Sequence, residues 1–414
     1  MGRNGPGTAS SQGNSIGKRI MDREEMVRQI CSNAQHVAGL DDLRHKLEKG
    51  HPLRIKFGVD PTRPDLTFGH LVVFRKLRQL QDLGHEAIFL IGDFTTTIGD
   101  PSGRSETRPV LTPEQIEENA KTYLEQAFRI LDAKKTVVRR NGEWFSKMSL
   151  ADMLALAREM TVAQLIERED FAKRHREGVP IAVVEFLYPL IQGYDSVMLE
   201  ADLELGGNDQ LFNMLVGRTM QKNRRQEEQV VLCMPLLVGL DGTRKMSKSY
   251  GNYIAFNDSA QQMFGKIMSI PDEILETYHR LLLGHGDADW TAVAKLHPME
   301  AKKRLAVALT AQFHGEEMAA RARDEFEKVF SRGELPETLA HIPLDTFAAE
   351  EFVDVLDLLA SSAAFSSRNE VRRLLEQGAV RLDGVRIELG QKISIRGAAG
   401  QVLQVGKRQF FRLD

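Results

Sequence analysis

Apolar residues recur along this chain in two different periods, and the alternation between them outlines a fold. Arg54 to Val59 reads as a strand. Phe68 to Leu83 has helical spacing at Leu71, Phe74, Leu77 and Leu80, and Gly84 stops it. Ala87 to Ile91 is a continuous apolar run, as in a strand buried on both faces. Leu203 to Leu205, a helix from Leu211 to about Asn223, and Val230 to Met234 repeat the pattern. Strand and helix in alternation predict an α/β domain with a doubly wound parallel sheet, Rossmann-like in layout. Met21 to about Lys49 reads as helical, and so does most of 112–199, which is expected to be an insertion between two halves of the sheet. After Tyr253 the pattern is helical only, to about Arg332. A polar stretch with Pro336 and Pro343 follows as a linker. Two short helices, about Glu351 to Ala363 and Ser367 to Gln377, then lead into short strands with a turn at Asp383-Gly384.

The expected layout is therefore a tail over 1–22, an α/β domain over 23–253, an all-helical domain over 254–332, a linker over 333–349 and a small α+β domain over 350–414. The tail is rich in Gly, Ser and Asn and nearly devoid of apolar side chains, so disorder is expected there. No internal repeat is evident.

Composition narrows the class. The 414 residues are 42% hydrophobic and 27% charged, ordinary for a water-soluble globular chain. No apolar run reaches bilayer-spanning length and no signal-like segment opens the chain, so no membrane role is expected. Cys31 and Cys233 belong to no CxxC pair or Cys/His cluster, so neither a disulfide nor a structural metal is expected, and low cysteine usage fits the cytoplasm. Net charge is -3, but Ser366 to Asp414 carries ten Lys or Arg against five Asp or Glu, a local balance of +5. That basic end is a docking surface for a polyanion or a solvated charged face; charge alone does not choose.

Candidate chemistry begins after the first strand, in GVDPTRPDLTFGH (Gly58 to His70). A loop that leaves a strand and opens a helix lies where open α/β sheets bind ligands, and a helix N-terminus offers N–H groups to phosphates. Gly69 lets a flat ring approach, and His70 can donate to an oxygen. Alone, a helix-capping loop with an incidental histidine explains this segment better. The second segment is KMSKS, Lys245 to Ser249, with glycines on both sides. Two lysines three apart beside hydroxyls suit a moving clamp on triphosphate oxygens, able to stabilise a leaving pyrophosphate. The bland alternative is a basic surface loop, weakened by the phosphate-type segment upstream.

TFGH and KMSKS together resemble the two signatures of class I aminoacyl-tRNA synthetases. The second matches in full. The first departs from His-any-Gly-His, because Thr67 stands at the first histidine and can donate a hydrogen bond but no charge. A third segment separates members of the class. EFLYPLIQGYD supplies Tyr188, Gln192 and Asp195 at i, i+4 and i+7, on one helix face. A phenol, an amide and a carboxylate form a poor core, so the stripe is either a binding face or an incidental polar face toward solvent. LGGNDQ then brings Asp209 and Gln210 to a strand end.

The stripe, the GGNDQ run and IGDPSGRSETR resemble the bacterial-type tyrosyl-tRNA synthetase family. That resemblance implies roles. Tyr188 and Gln192 would contact the α-amino group of L-tyrosine, Asp195 would accept its phenolic hydrogen, Gln210 would orient its carboxylate region and Asp100 would hold its ammonium. Gly58, Asp60, Thr62, Gly69, His70, Asp209, Met246, Ser247, Lys248 and Ser249 would lie at the ATP and adenylate site. His70, Lys245, Lys248 and Thr67 would act on the triphosphate, with Arg104 and Arg108 on a mobile loop beside it. The family often has a Tyr on the first strand to share the phenol. Lys56 stands there and is a candidate second partner, although a strand lysine is more often directed elsewhere.

SSRNEVRRLLEQGAVRLDGVRI resembles an S4-type RNA-binding domain, which makes Arg368, Arg372, Arg373 and Arg381 candidate RNA contacts and the helical domain before it the anticodon-region domain. Implied partners are ATP with Mg2+, L-tyrosine and tRNA(Tyr), in a homodimer. Two rivals remain: a tryptophanyl synthetase, for which the stripe and the S4-like end are missing, and a paralogue serving only as an RNA-binding or splicing scaffold, against which the intact KMSKS and Asp100 speak.

Overall fold

A computed structural model describes residues 22–101, 111–331, 339–347, 350–362, 364–365, 367–406 and 409–414. Its compact units are two. One comprises the chain up to Asp65 together with His70–Leu236, the other Leu66–Gly69 together with Leu237–Asp414.

The first unit is a six-stranded sheet. Its strands are β1 (His36–Ala38), β2 (Arg54–Val59), β3 (Glu86–Ile91), β4 (Thr136–Arg140), β5 (Leu203–Gly207) and β6 (Val230–Met234), in the order β1-β6-β5-β2-β3-β4. Five run parallel, and β1 pairs antiparallel with β6 at one edge. The central strands bury both faces, which is why they read as unbroken apolar runs. Phe57, Phe74 and Phe89 pack ring to ring between β2, β3 and the helix Phe68–Asp82, with centroids 5.4 to 6.0 Å apart. The chain winds outward from β2 through β3 to β4, then resumes at β5 beside β2 and winds the other way. The topological switch point therefore lies between the C-terminal ends of β2 and β5, where such sheets bind ligands.

Two strands depart from the sequence reading. β1 interrupts the stretch expected to be one helix between Met21 and Lys49, and β4 lies inside the expected helical insertion. Both are edge strands without a continuous buried run; Val137 and Val138 of β4 are exposed.

In the second unit, five helices from Ala260 to Ser331 follow the KMSKS segment. The C-terminal part holds β7 (Ala340–Ile342), β8 (Phe352–Asp354), β9 (Val380–Leu382), β10 (Val385–Arg386), β11 (Lys392–Ser394), β12 (Val402–Val405) and β13 (Gln409–Leu413). Its sheet order is β10-β9-β12-β13-β7, with β11 and β8 paired separately. Val371 and Leu375 of the helix Arg368–Glu376 pack in one core with Val380, Leu403 and Phe411. Asp383 and Gly384 both adopt positive φ, 47° and 84°, as the two-residue turn between β9 and β10 requires. β7 lies within the segment expected to be linker, yet it pairs in parallel with β13 and so belongs to the final sheet. Its three residues are too few to carry a period. The expected tail over 1–22 falls outside the described residues apart from Asp22. Among the described residues no helix is long and apolar enough to cross a membrane.

Candidate active site

The helix Val183–Met198 carries the Tyr188, Gln192 and Asp195 stripe. The Glu185 carboxylate closes its first turn by accepting from the Ala182 amide at 2.8 Å, and it is itself held by Arg174. Gly193 lets this helix close on the helix Leu211–Asn223, since a Cβ there would meet Met220 Sδ and Val216 Cγ1 at 3.0 Å. The stripe is not a solvent face: Tyr188 is 6% exposed and Asp195 only 3%. Buried polar groups need partners, and two chains of hydrogen bonds supply them.

The first chain crosses the C-terminal ends of β2, β3 and β4. Tyr188 Oη donates to Asp60 Oδ2 at 3.0 Å, and Thr95 Oγ1 donates to Asp60 Oδ1 at 2.8 Å. Asn141 Nδ2 reaches Thr95 Oγ1 at 3.1 Å and Asp195 Oδ2 at 3.3 Å, while Trp144 Nε1 donates to Asp195 Oδ1 at 3.0 Å. Burial pushes the Asp195 carboxyl up to about 7, against Lys56, Asn141 and Trp144, which favour the ionised form, and with Glu204, which opposes it. Each carboxylate oxygen has two lone pairs, so Asp195 keeps acceptor capacity for a further hydroxyl.

The second chain runs through the amides. Gln210 Nε2 donates to Asp100 Oδ2 at 2.9 Å. Asn213 Nδ2 donates to Gln210 Oε1 at 3.1 Å and to Gln192 Oε1 at 3.0 Å, and Arg168 Nη1 donates to Asn213 Oδ1 at 3.2 Å. Gln192 Nε2 reaches Glu204 Oε1 at 3.2 Å. Asp60, Asp100, Tyr188, Gln192, Asp195 and Gln210 are thus gathered in one unit, joined through side chains at the switch point. Asp60, expected beside the adenylate, is bonded to the tyrosine stripe itself.

Lys56 corrects the sequence expectation. It is fully buried in β2, and its ammonium lies 2.8 Å from Glu204 Oε1, 2.8 Å from the Gln192 carbonyl and 2.8 Å from Ser196 Oγ. An ammonium has three protons, and those three acceptors take them all, so none is left for a phenol. Thr95, Asn141, Trp144, Glu204 and Asn213 were missed by the sequence reading. The signal for Asn141 and Trp144 was a β-branched run, Thr136 to Val138, followed by Asn141-Gly142; reading that region as helical concealed a strand end.

In the second unit, Thr67 is buried and pairs with Ala255 in an antiparallel bridge, and the Phe68 amide donates to the Ile254 carbonyl at 3.0 Å. A Cβ on Gly69 would lie 3.9 Å from Met246, so Thr67–Gly69 of the first signature and Met246 of the second come together. His70 opens the other side of the division, in the first turn of Phe68–Asp82. The KMSKS segment leaves a hairpin closed by the Val238–Lys245 bridge. Amide hydrogen bonds from Thr243 and then Arg244, with Asn252 and the Arg244 side chain, hold the Asp241 carboxyl down at about 2. Asn252 Oδ1 accepts from the Ser247 amide at 2.8 Å, and Ser247 Oγ caps the turn Lys248–Tyr250. Gly58 is the penultimate residue of β2, Thr62 follows Asp60 in its loop, and Asp209 sits in the turn after β5. Arg104 and Arg108 lie outside the described residues. In the final domain Arg372, Arg373 and Arg381 are exposed, and Arg368 pairs with Asp357 at 2.5 Å.

Comparison with known proteins identifies the family. The family model for class I tRNA synthetases (W and Y) matches residues 48–331. The chain is 50% identical over 400 residues to the tyrosine–tRNA ligase of Thermotoga maritima, covering 95% of this chain and 98% of that one. It is 45% identical over 395 residues to the tyrosine–tRNA ligase of Aquifex aeolicus, covering 95% and 99%. Among solved structures, the tyrosyl-tRNA synthetase of Archaeoglobus fulgidus complexed with L-tyrosine superposes with TM-score 0.60 at 27% identity, covering 73% of this chain and all of that one. A truncated mitochondrial tyrosyl-tRNA synthetase of Aspergillus nidulans, at 21% identity and TM-score 0.62 over 76% of this chain and 95% of that one, shares the fold. The chain belongs to the class I tRNA synthetases and, within them, to the bacterial tyrosine–tRNA ligases.

Proposed function

We propose that this tyrosine–tRNA ligase reads its amino acid in the buried stripe of Val183–Met198 and activates it there with Mg2+–ATP as substrate. One observation carries the reading. A phenol, two amides and three carboxylates from three strand ends and one helix converge at the switch point, each held by a hydrogen-bond partner that orients it. Asp195 takes the phenolic hydrogen of L-tyrosine. Asp60, Tyr188 and Gln192 line the amino acid, and Asp100 with Gln210 faces its ammonium and carboxylate. The tyrosine carboxylate, ionised at neutral pH, attacks the α-phosphorus of ATP. A phosphorus–oxygen bond forms as the α–β bridge breaks, and pyrophosphate leaves with the bonding electrons. No side-chain base is needed. His70, Lys245 and Lys248 stabilise charge on the departing pyrophosphate, and Arg104 and Arg108 take part by family resemblance. Thr67 contributes no charge. A terminal hydroxyl of tRNA(Tyr) then attacks the adenylate carbonyl, and AMP departs.

The final domain is read as the RNA-docking module, with Arg368, Arg372, Arg373 and Arg381 as phosphate contacts. Arg381 lies directly opposite Arg386 across the β9–β10 hairpin, and like charges in that position are unfavourable until an anion neutralises them. Resemblance extends the reading to a cytoplasmic homodimer. Tyrosine-dependent ATP–pyrophosphate exchange tests the whole assignment: exchange with tyrosine but not tryptophan is expected, and exchange dependent on another amino acid would overturn it.

A further inference from the structure

Two deeply buried charges of the first unit are not among the groups that the reaction uses. Lys56 on β2 and Glu204 on β5 are 0% and 2% exposed and form an ion pair at 2.8 Å. Glu204 Oε1 also accepts from Gln192 Nε2 at 3.2 Å, and its Oε2 accepts from Ser196 Oγ at 3.1 Å and from Gln229. The pair thus grips Gln192 twice, Lys56 by its carbonyl and Glu204 by its side-chain amide. Lys56 also holds Ser196, the next residue after Asp195. A buried ion pair is a weak source of stability, because desolvation offsets its attraction. What it supplies instead is fixed geometry.

We propose that Lys56 and Glu204 are the positioning pair of the tyrosine pocket, fixing Gln192 and setting the electrostatic potential at Asp195 without touching the substrate. This rests on the reading of the stripe as that pocket. The two charges act on Asp195 in opposite directions: Lys56 favours its ionised form and Glu204 disfavours it. Asp60, Asp93 and Arg139 also face this region, Asp60 through Thr95 and Asn141, Asp93 through Phe94 and Gly142, and Arg139 over the Trp144 ring. They stay constant when the pair is changed. Removing the lysine alone leaves a buried anion near Asp195; removing the glutamate charge alone leaves a buried cation.

The test uses the full-length chain in tyrosine-dependent ATP–pyrophosphate exchange as a function of pH, with Lys56→Met, Glu204→Gln, the double variant and Gln192→Ala. Lys56→Met is expected to raise the tyrosine KM about tenfold or more while the ATP KM stays within about twofold, because ground-state positioning of one substrate is lost. It should move the acid limb of kcat/KM for tyrosine to higher pH. Glu204→Gln should move that limb to lower pH, and the double variant should return it toward the wild-type position. A purely structural pair would lower the melting temperature of both single variants and leave limb and tyrosine KM in place; that result overturns the proposal. If Lys56→Met does not fold, Glu204→Gln decides alone, since an unmoved limb with an unchanged tyrosine KM is equally fatal. Gln192→Ala separates the two levels. A raised tyrosine KM there with silent Lys56 and Glu204 variants sinks only the positioning role. An unchanged KM in Gln192→Ala sinks the pocket reading and the proposal with it.

Discussion

Asp195 shows how one residue's burial becomes a pH dependence. Its carboxyl is pushed up to about 7 from an ordinary 3.8, chiefly by desolvation. A raised folded-state value means that its contribution to folding stability is fully present below the unfolded value and is lost as pH rises through about 7. A phenol donating to the carboxylate requires the opposite, ionised form. Tyrosine kcat/KM should therefore fall as pH drops through about 7, and Asp195→Asn should erase that limb; pyrophosphate exchange across pH measures it. Lys245→Ala and Lys248→Ala should behave differently. In the proposed mechanism they act on the leaving group, so pre-steady-state kinetics should show adenylate formation slowed far more than tyrosine binding is weakened. An unchanged activation rate in both variants would remove them from the mechanism. The residue types of the stripe were legible in sequence, because i, i+4 and i+7 is a helical face. The fate of Lys56 was not, since its three acceptors come from residues 136 to 148 positions away.

Elements were legible in proportion to their burial. The strands Arg54–Val59 and Val230–Met234 and the helix Leu211–Asn223 match the apolar pattern end to end. The edge strands β1, β4 and β7 did not announce themselves, because a half-exposed strand of three to five residues leaves no run to read. Missing β4 also hid Asn141 and Trp144, which lie just beyond it and hold Asp195. At this scale the contact between Val183–Met198 and Leu211–Asn223 governs the site. Gly193→Val puts carbon where Met220 Sδ and Val216 Cγ1 stand at 3.0 Å. Overpacking of this kind costs about 1–3 kcal/mol. Urea unfolding should register that loss, and the tyrosine KM should rise with it, since Gln192 and Asp195 flank the glycine. A variant as stable as wild type would show that the two helices can part freely.

For the whole molecule, the residues proposed to hold the amino acid lie in the first unit and the basic end in the second. Removing the chain from Arg332 onward should leave tyrosine activation nearly intact and strongly impair tRNA charging. The cut belongs ahead of β7, because truncation at Pro343 would strand that edge strand without β13. Charging by the full-length chain should also weaken as salt rises, in keeping with phosphate contacts. Loss of pyrophosphate exchange equal to the loss of charging would contradict this division of labour. The change from alternating strands and helices to helices alone after Tyr253 was legible because the period changes along the chain, whereas the packing of 66–69 in the second unit was not. Those residues follow β2 in sequence but pack with the segment just after KMSKS through Thr67–Ala255 and Phe68–Ile254.

The central claim is that Asp195 reads the phenol. Tyrosine and phenylalanine differ by one hydroxyl, and an acceptor built for it rejects the analogue that leaves it unpaired. The direct measurement is kcat/KM for both amino acids in pyrophosphate exchange, in wild type and in Asp195→Ala. The account predicts that the variant loses most of its preference, through a fall in tyrosine activity rather than a gain in phenylalanine activity. A variant that kept the wild-type preference for tyrosine would mean that the hydroxyl is read elsewhere.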